Sequence, residues 1–127
     1  MSRWLLDSSA LLAAIQKEPG SADLPDDLSS CRISAVNAAE VVGKLVDEGY
    51  PGKEADALFL GLMVEIVPFS AATARLAGRL RAATGHRGLS LEDRAYLATA
   101  ILSRNPVLTA DRAWSGLELG IDIVLIR

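Results

Sequence analysis

Four acidic residues sit inside otherwise apolar segments of this chain. Asp7 follows Trp4-Leu5-Leu6, and Asp111 follows Val107-Leu108-Thr109-Ala110. Glu40 lies among Val36, Val41, Val42 and Leu45, and Asp93 opens the apolar run Ala95-Tyr96-Leu97. Carboxylates brought together repel and raise one another's pKa unless a cation neutralises them. An oxygen-only donor set with no His or Cys nearby favours Mg²⁺ or Mn²⁺ over zinc. Clusters of that kind serve mainly phosphoryl chemistry, where the ion activates water and stabilises charge on the phosphate.

Each acid also has an ordinary structural explanation. Asp7 and Asp111 fit as helix N-caps, accepting bonds from the free amides of the helices that follow. Ser90-Leu91-Glu92-Asp93 fits a capping box. Glu40 is four residues before Lys44, a pairing worth about 0.2–0.5 kcal/mol on a solvated helix face. Capping alone does not explain why two such starts lie at strand ends on one edge of a sheet. Glu92 is an additional acid beside Asp93, but on a helix the two point about 100° apart. It reads as a solvated helix-start acid favoured by the dipole, and it competes for the third position in the cluster.

The elements that must position these residues alternate along the chain. Arg3 to Leu6 reads as a short buried strand, followed by a helix with Ser8, Leu11, Leu12 and Ile15 on one face. Pro19-Gly20 ends it, and Ser21 to Leu28 is a polar connection with at most one helical turn. Cys31-Arg32-Ile33 is a second strand, leading to a helix from about Ala35 to Glu48 closed by Gly49. A helix follows over Pro51 to Met63, then an edge or terminating strand over Val64 to Phe69 containing Pro68. Ala71 to Thr84 is helical, and Gly85-His86-Arg87-Gly88 is a loop. Ser90 caps a helix running to about Arg104. Val107 to Thr109 and Ile121 to Ile126 complete five strands. This alternation implies parallel strands joined by helical crossovers, hence one domain over 1–127. The expected architecture is a three-layer α/β/α sandwich around a mainly parallel sheet. In such a sheet ligands bind at the carboxyl ends of the strands, where Asp7 and Asp111 fall.

Composition narrows the class. Half the residues are apolar but only 5% are aromatic, so Leu, Ala, Val and Ile must build the core. The longest apolar stretch, Ala57 to Val64, is too short to span a bilayer. An early carboxylate at Asp7 speaks against a signal-peptide core. Cys31 is the only cysteine, which excludes a disulfide framework and a cysteine zinc site. A cytoplasmic protein is expected. The net charge of −3 gives no general attraction to nucleic acid, although acids gathered at a metal would mask a basic rim. Neither G-x-G-x-x-G nor a Walker pattern is present, which argues against nucleotide-cofactor enzymes.

The segments Leu5-Leu6-Asp7-Ser8-Ser9-Ala10-Leu11, Ile33-Ser34-Ala35-Val36-Asn37-Ala38-Ala39-Glu40-Val41, Leu89-Ser90-Leu91-Glu92-Asp93-Arg94-Ala95 and Leu108-Thr109-Ala110-Asp111-Arg112-Ala113-Trp114 resemble the four acidic motifs of the PIN family. They stand in the family's order and spacing across essentially the whole chain, and are most similar to its VapC-type toxins. These toxins are the ribonuclease halves of prokaryotic toxin–antitoxin pairs. The resemblance implies that Asp7 and Asp93 are the principal ligands of Mg²⁺ or Mn²⁺. Asp111 would complete the set directly or through water, and Glu40 would help hold the metal or orient the attacking water. Ser8 and Thr109 would supply hydroxyls to the carboxylates or bound water. The implied reaction is endonucleolytic hydrolysis of structured RNA, tRNA or rRNA in many relatives. The implied partners are a VapB-like antitoxin and a second copy of the chain.

Among other residues, Arg87, Arg94 and Arg112 are candidate RNA contacts, the first in a basic loop and the others each next to an expected ligand. For any one of them an ordinary surface arginine is the simpler account. His86 reads as a surface loop histidine and Trp114 as packing beneath the site. The helix over Pro51 to Met63 carries more apolar surface than one core stripe needs, which suits contact with another chain. Competing readings are an RNA-processing PIN nuclease without an antitoxin and a catalytically silent PIN-like binding domain. A phosphatase or receiver-like switch would want a lysine near the phosphate, and Lys44 and Lys53 are poorly placed for that.

Overall fold

The computed structural model describes residues 3–18, 24–25, 27–85, 88–109, 114 and 119–126. The elements are β1 (Leu5–Leu6), α1 (Ser8–Gln16), a 3-10 turn (Leu28–Ser30), β2 (Arg32–Ser34), α2 (Ala35–Asp47), α3 (Gly52–Leu60), β3 (Glu65–Val67), α4 (Ala71–Arg79), α5 (Arg81–Thr84), α6 (Leu91–Ser103), β4 (Val107–Thr109) and β5 (Ile123–Leu125). The five strands form one sheet in the order β3-β2-β1-β4-β5, and every neighbouring pair is parallel. Chain progression therefore runs outward from β1 to β3, then returns to the other side of β1. The β1–β4 seam is the reversal point, where ligands gather in open parallel sheets.

Right-handed crossovers put the helices before this reversal on one face of the sheet and those after it on the other. The core divides accordingly, because successive strand residues point to opposite faces. Leu6, Ile33 and Leu108 pack with Ala10, Leu11, Val41, Leu45, Ala55 and Phe59, from α1, α2 and α3. Leu5 and Val107 pack with Ala77, Leu80, Tyr96, Leu97 and Trp114. Three layers result, as the alternation of elements implies.

Three strands are shorter than the sequence reading, β1, β3 and β5 covering only part of Arg3–Leu6, Val64–Phe69 and Ile121–Ile126, and two helices differ from it. The helix expected over Pro51–Met63 stops at Leu60; Gly61 and Leu62 form a turn, and Met63 adopts φ 61°. Gly61 is a poor helix former, which favours termination there. The helix expected over Ala71–Thr84 is divided at Leu80 into α4 and α5. Pro68 lies just past β3, which is an edge strand as its proline suggests. Gly49 follows α2 at φ 104°, a conformation a side chain would strain. Cys31 is buried and unpaired beside β2.

The amino edge of the sheet is tied by side chains in strand order. Glu65 accepts from Arg32 Nε at 2.5 Å and Arg3 Nη1 at 3.2 Å. Asn105 accepts from Arg32 Nη1 at 3.1 Å and donates to the Arg3 carbonyl at 2.7 Å. These bonds fix the strands at the end remote from Asp7. Among the described residues no helix is long and apolar enough to cross a membrane.

Candidate active site

Asp7 stands directly after β1, with only 5% of its surface exposed. It is the N-cap of α1: Oδ1 accepts from the Ala10 amide at 2.8 Å and from Ser9 Oγ at 2.8 Å. Oδ2 accepts from the buried Thr109 hydroxyl at 2.5 Å. Thr109 is the last residue of β4, and Leu6 is in register with Leu108. The hydroxyl therefore crosses from one central strand end to the other. Donors to both oxygens fix the orientation of this buried carboxylate.

Glu40 lies on α2 and is half-buried. Its Oε1 accepts a short hydrogen bond from Ser8 Oγ, beside Asp7 in the chain. The expected alternative, an ion pair with Lys44, does not form among the described residues. Ser8 and Thr109 thus each donate a hydrogen bond to a carboxylate.

Asp93 is half-buried in the first turn of α6. Ser90 Oγ accepts from the Asp93 amide and Asp93 Oδ2 accepts from the Ser90 amide, each at 3.1 Å. This reciprocal capping box takes one carboxylate oxygen. Glu92 is exposed, as a solvated helix-start acid should be.

Asp111, Arg112, Arg87 and His86 lie outside the described residues. Among the described residues, no three His, Cys, Asp or Glu side chains converge closely enough to hold a metal. Asp7 and Glu40 are linked through adjacent Ser8, whereas the described contacts of the Asp93 side chain are with Ser90. Arg94, a candidate RNA contact, donates from Nη1 to the Ala77 carbonyl at 3.1 Å and clasps α6 to α4.

Tyr96, which the sequence motifs do not single out, joins these pieces. Its fully buried hydroxyl donates to the Leu5 carbonyl at 2.5 Å and lies 3.3 Å from the Leu108 carbonyl. It bridges the two strands that carry Asp7 and Thr109, from the helix that carries Asp93. Burial pushes the phenol well above its ordinary pKa, and the charge of Asp7 adds to that. The ring packs on Trp114, with centroids 5.0 Å apart and planes at 34°. Trp114 is buried beneath the site, as its sequence context suggests. Asn37 is a second residue not singled out by sequence: 3% exposed, it accepts from Ser34 Oγ at 2.6 Å at the end of β2.

The PIN domain family model matches residues 4–118. The chain belongs to the PIN family. Solved structures agree on the fold. A chain of VapBC2 from Rickettsia felis, bound to a DNA fragment from their promoter, matches with TM-score 0.78, 19% identity and 98% coverage of both chains. A chain of DNA-bound VapBC from Salmonella typhimurium matches with the same values. A chain of VapBC-5 from Mycobacterium tuberculosis matches with TM-score 0.62 and 22% identity, over 100% of this chain and 99% of that one. A comparison with curated protein sequences finds no match.

Proposed function

We propose that this PIN domain is a metal-dependent endoribonuclease, acting on structured RNA as the toxin of a VapBC-type pair. The observation that carries the reading is the Asp7 carboxylate, buried at the carboxyl edge of the central strand and oriented by Ser9, Ala10 and Thr109. The donor set is oxygen only, which fits a hard divalent cation. Asp7, Asp93 and Asp111 would hold Mg²⁺ or Mn²⁺, and the bound ion would activate water and stabilise charge on the phosphate. Thr109 keeps Asp7 facing the site, Ser8 keeps Glu40 in place, and Glu40 orients the attacking water. Asp93 retains one carboxylate oxygen outside its capping box for this task.

The partner reading draws on two observations. Several structures of like fold are toxin–antitoxin complexes, and α3 leaves apolar surface uncovered. Ala55 and Phe59 of α3 are buried, while Leu58 and Leu60, and Met63 just beyond, are exposed with Tyr50 nearby. Such a surface suits a VapB-like antitoxin or a second copy of the chain.

The test is digestion of total cellular RNA by the purified chain with Mg²⁺, Mn²⁺ or EDTA, beside Asp7→Asn. Discrete fragments that need both the metal and Asp7 are expected. Retention of RNA without cleavage under either metal would select a catalytically silent binding domain.

A further inference from the structure

The charge of this chain is unevenly distributed. Residues 66–91 contain four arginines and no Asp or Glu, although the whole chain carries sixteen acids and thirteen Lys and Arg. The other nine cations are therefore outnumbered by the acids, and this segment is a positive island in an acidic protein. Arg75, Arg79 and Arg81 fall on α4 and at the start of α5, and all three are exposed. None forms an ion pair or a hydrogen bond among the described residues, unlike Arg3, Arg32 and Arg94.

The packing of α4 explains their exposure. Thr73, Ala77 and Leu80 face inward, and Ala77 and Leu80 pack with Tyr96 and Leu97 of α6. Arg75 and Arg79 are each two residues from Ala77, about 200° around the helix and so nearly opposite the packed face. Being four residues apart, they form one row about 6 Å long. Arg94 touches the Ala77 carbonyl one residue after Asp93, so the row lies about one helix diameter, roughly 10–12 Å, beyond the first turn of α6.

We propose that the exposed arginines of α4–α5, with Arg75 and Arg79 in one row and Arg81 at the start of α5 on the flank nearer the packed face, dock the phosphate backbone of the RNA whose scissile bond reaches the acidic site. This rests on the nuclease reading above. Three guanidiniums without a partner among the described residues, and with no carboxylate on their own helices, complement a polyanion and can fork onto phosphate oxygens. The face compensates for a net charge that would otherwise repel RNA.

The test measures binding of unfractionated tRNA to the full chain over a salt series, in an Asp93→Asn background so that RNA stays intact. The combined Arg75→Gln/Arg79→Gln/Arg81→Gln variant should lower affinity at least about tenfold at low salt, and flatten the log–log salt slope by about 2. The corresponding Arg→Lys triple variant should restore most of the slope by restoring charge. A Lys variant that binds as weakly as the Gln variant overturns the proposal, since the loss then reflects damaged folding rather than lost charge. An unchanged slope in the Gln variant also overturns it, and leaves the face to an acidic protein partner. If the unsubstituted chain cleaves RNA while the Gln slope is unchanged, only this assignment falls. If it neither cleaves nor binds tRNA, the nuclease reading falls with it.

Discussion

Asp93 carries two duties that can be separated experimentally. One carboxylate oxygen caps α6 through the Ser90 amide, and the proposed chemistry needs the negative charge. Asp93→Ala removes a hydrogen bond worth about 0.5–1.5 kcal/mol and a helix-start charge worth about 0.3–1 kcal/mol. The expected loss of stability is about 1–2 kcal/mol. At about 2.1 cal/mol/K per residue over 127 residues, each kcal/mol lowers the melting temperature by about 4 °C. Asp93→Ala should therefore melt about 4–8 °C below the unsubstituted chain. Asp93→Asn keeps an oxygen for the Ser90 amide, loses only the charge term, and should fall less than half as far. Ser90→Ala should cost about 0.5–2 kcal/mol as a lost N-cap and still cleave RNA. Both Asp93 variants should be inactive. Thermal unfolding by circular dichroism, paired with RNA digestion in Mn²⁺, reads both duties. Asp93→Asn cleaving at the unsubstituted rate would refute the role of the carboxylate in chemistry. Asp93→Ala melting unchanged would refute the cap as a stabilising device.

Tyr96→Phe keeps the ring against Trp114 but removes the hydroxyl from the Leu5 carbonyl, so urea denaturation should show a loss of about 0.5–1.5 kcal/mol. Thr109→Val removes a buried hydrogen-bond donor to the Asp7 carboxyl and leaves its oxygen short of a partner, so it should cost about 1–3 kcal/mol by the same measurement. Hydrogen bonds from Arg32 and then Arg3 hold the Glu65 carboxyl below its usual range. A depressed folded-state value means that the contribution is complete above the unfolded pKa of about 4.3 and disappears as pH falls through the folded value. The stability gap between the unsubstituted chain and Glu65→Gln should therefore close on acidification from pH 7, and a gap independent of pH would refute it. Leu60→Glu on exposed α3 should leave the melting temperature nearly unchanged while abolishing any concentration-dependent dimer in sedimentation.

Local signals in the chain carried much of this arrangement. Val107 to Thr109 forms a strand with the expected bounds because three apolar or β-branched residues follow a proline that ends the preceding helical pattern. Ser90 and Asp93 meet as their spacing requires, since a capping box is built from neighbours on one helical turn. Asp7 is both an N-cap and a strand-end acid, so the structural and functional explanations set out for it do not compete. The end of α3 was less legible: apolar residues continue through Met63, and the pattern does not register that a glycine interrupts the backbone ladder.

Long-range side-chain partners were the illegible part. Glu40 has a suitable lysine one helical turn away, yet bonds to Ser8, 32 residues earlier, because α1 and α2 pack on the same face of the sheet. Tyr96 looks like a core residue in its run, and its hydroxyl becomes meaningful only when Leu5, 91 positions away, supplies the acceptor. A phenylalanine would satisfy the apolar spacing equally well. What distinguishes tyrosine here is a buried donor spanning the β1–β4 seam, the line along which Asp7 meets Thr109. Holding that seam from α6 couples the separation of the strand-end groups to the helix that presents Asp93. The proposed acidic site would therefore be set by one packed helix as much as by the strands that end in it.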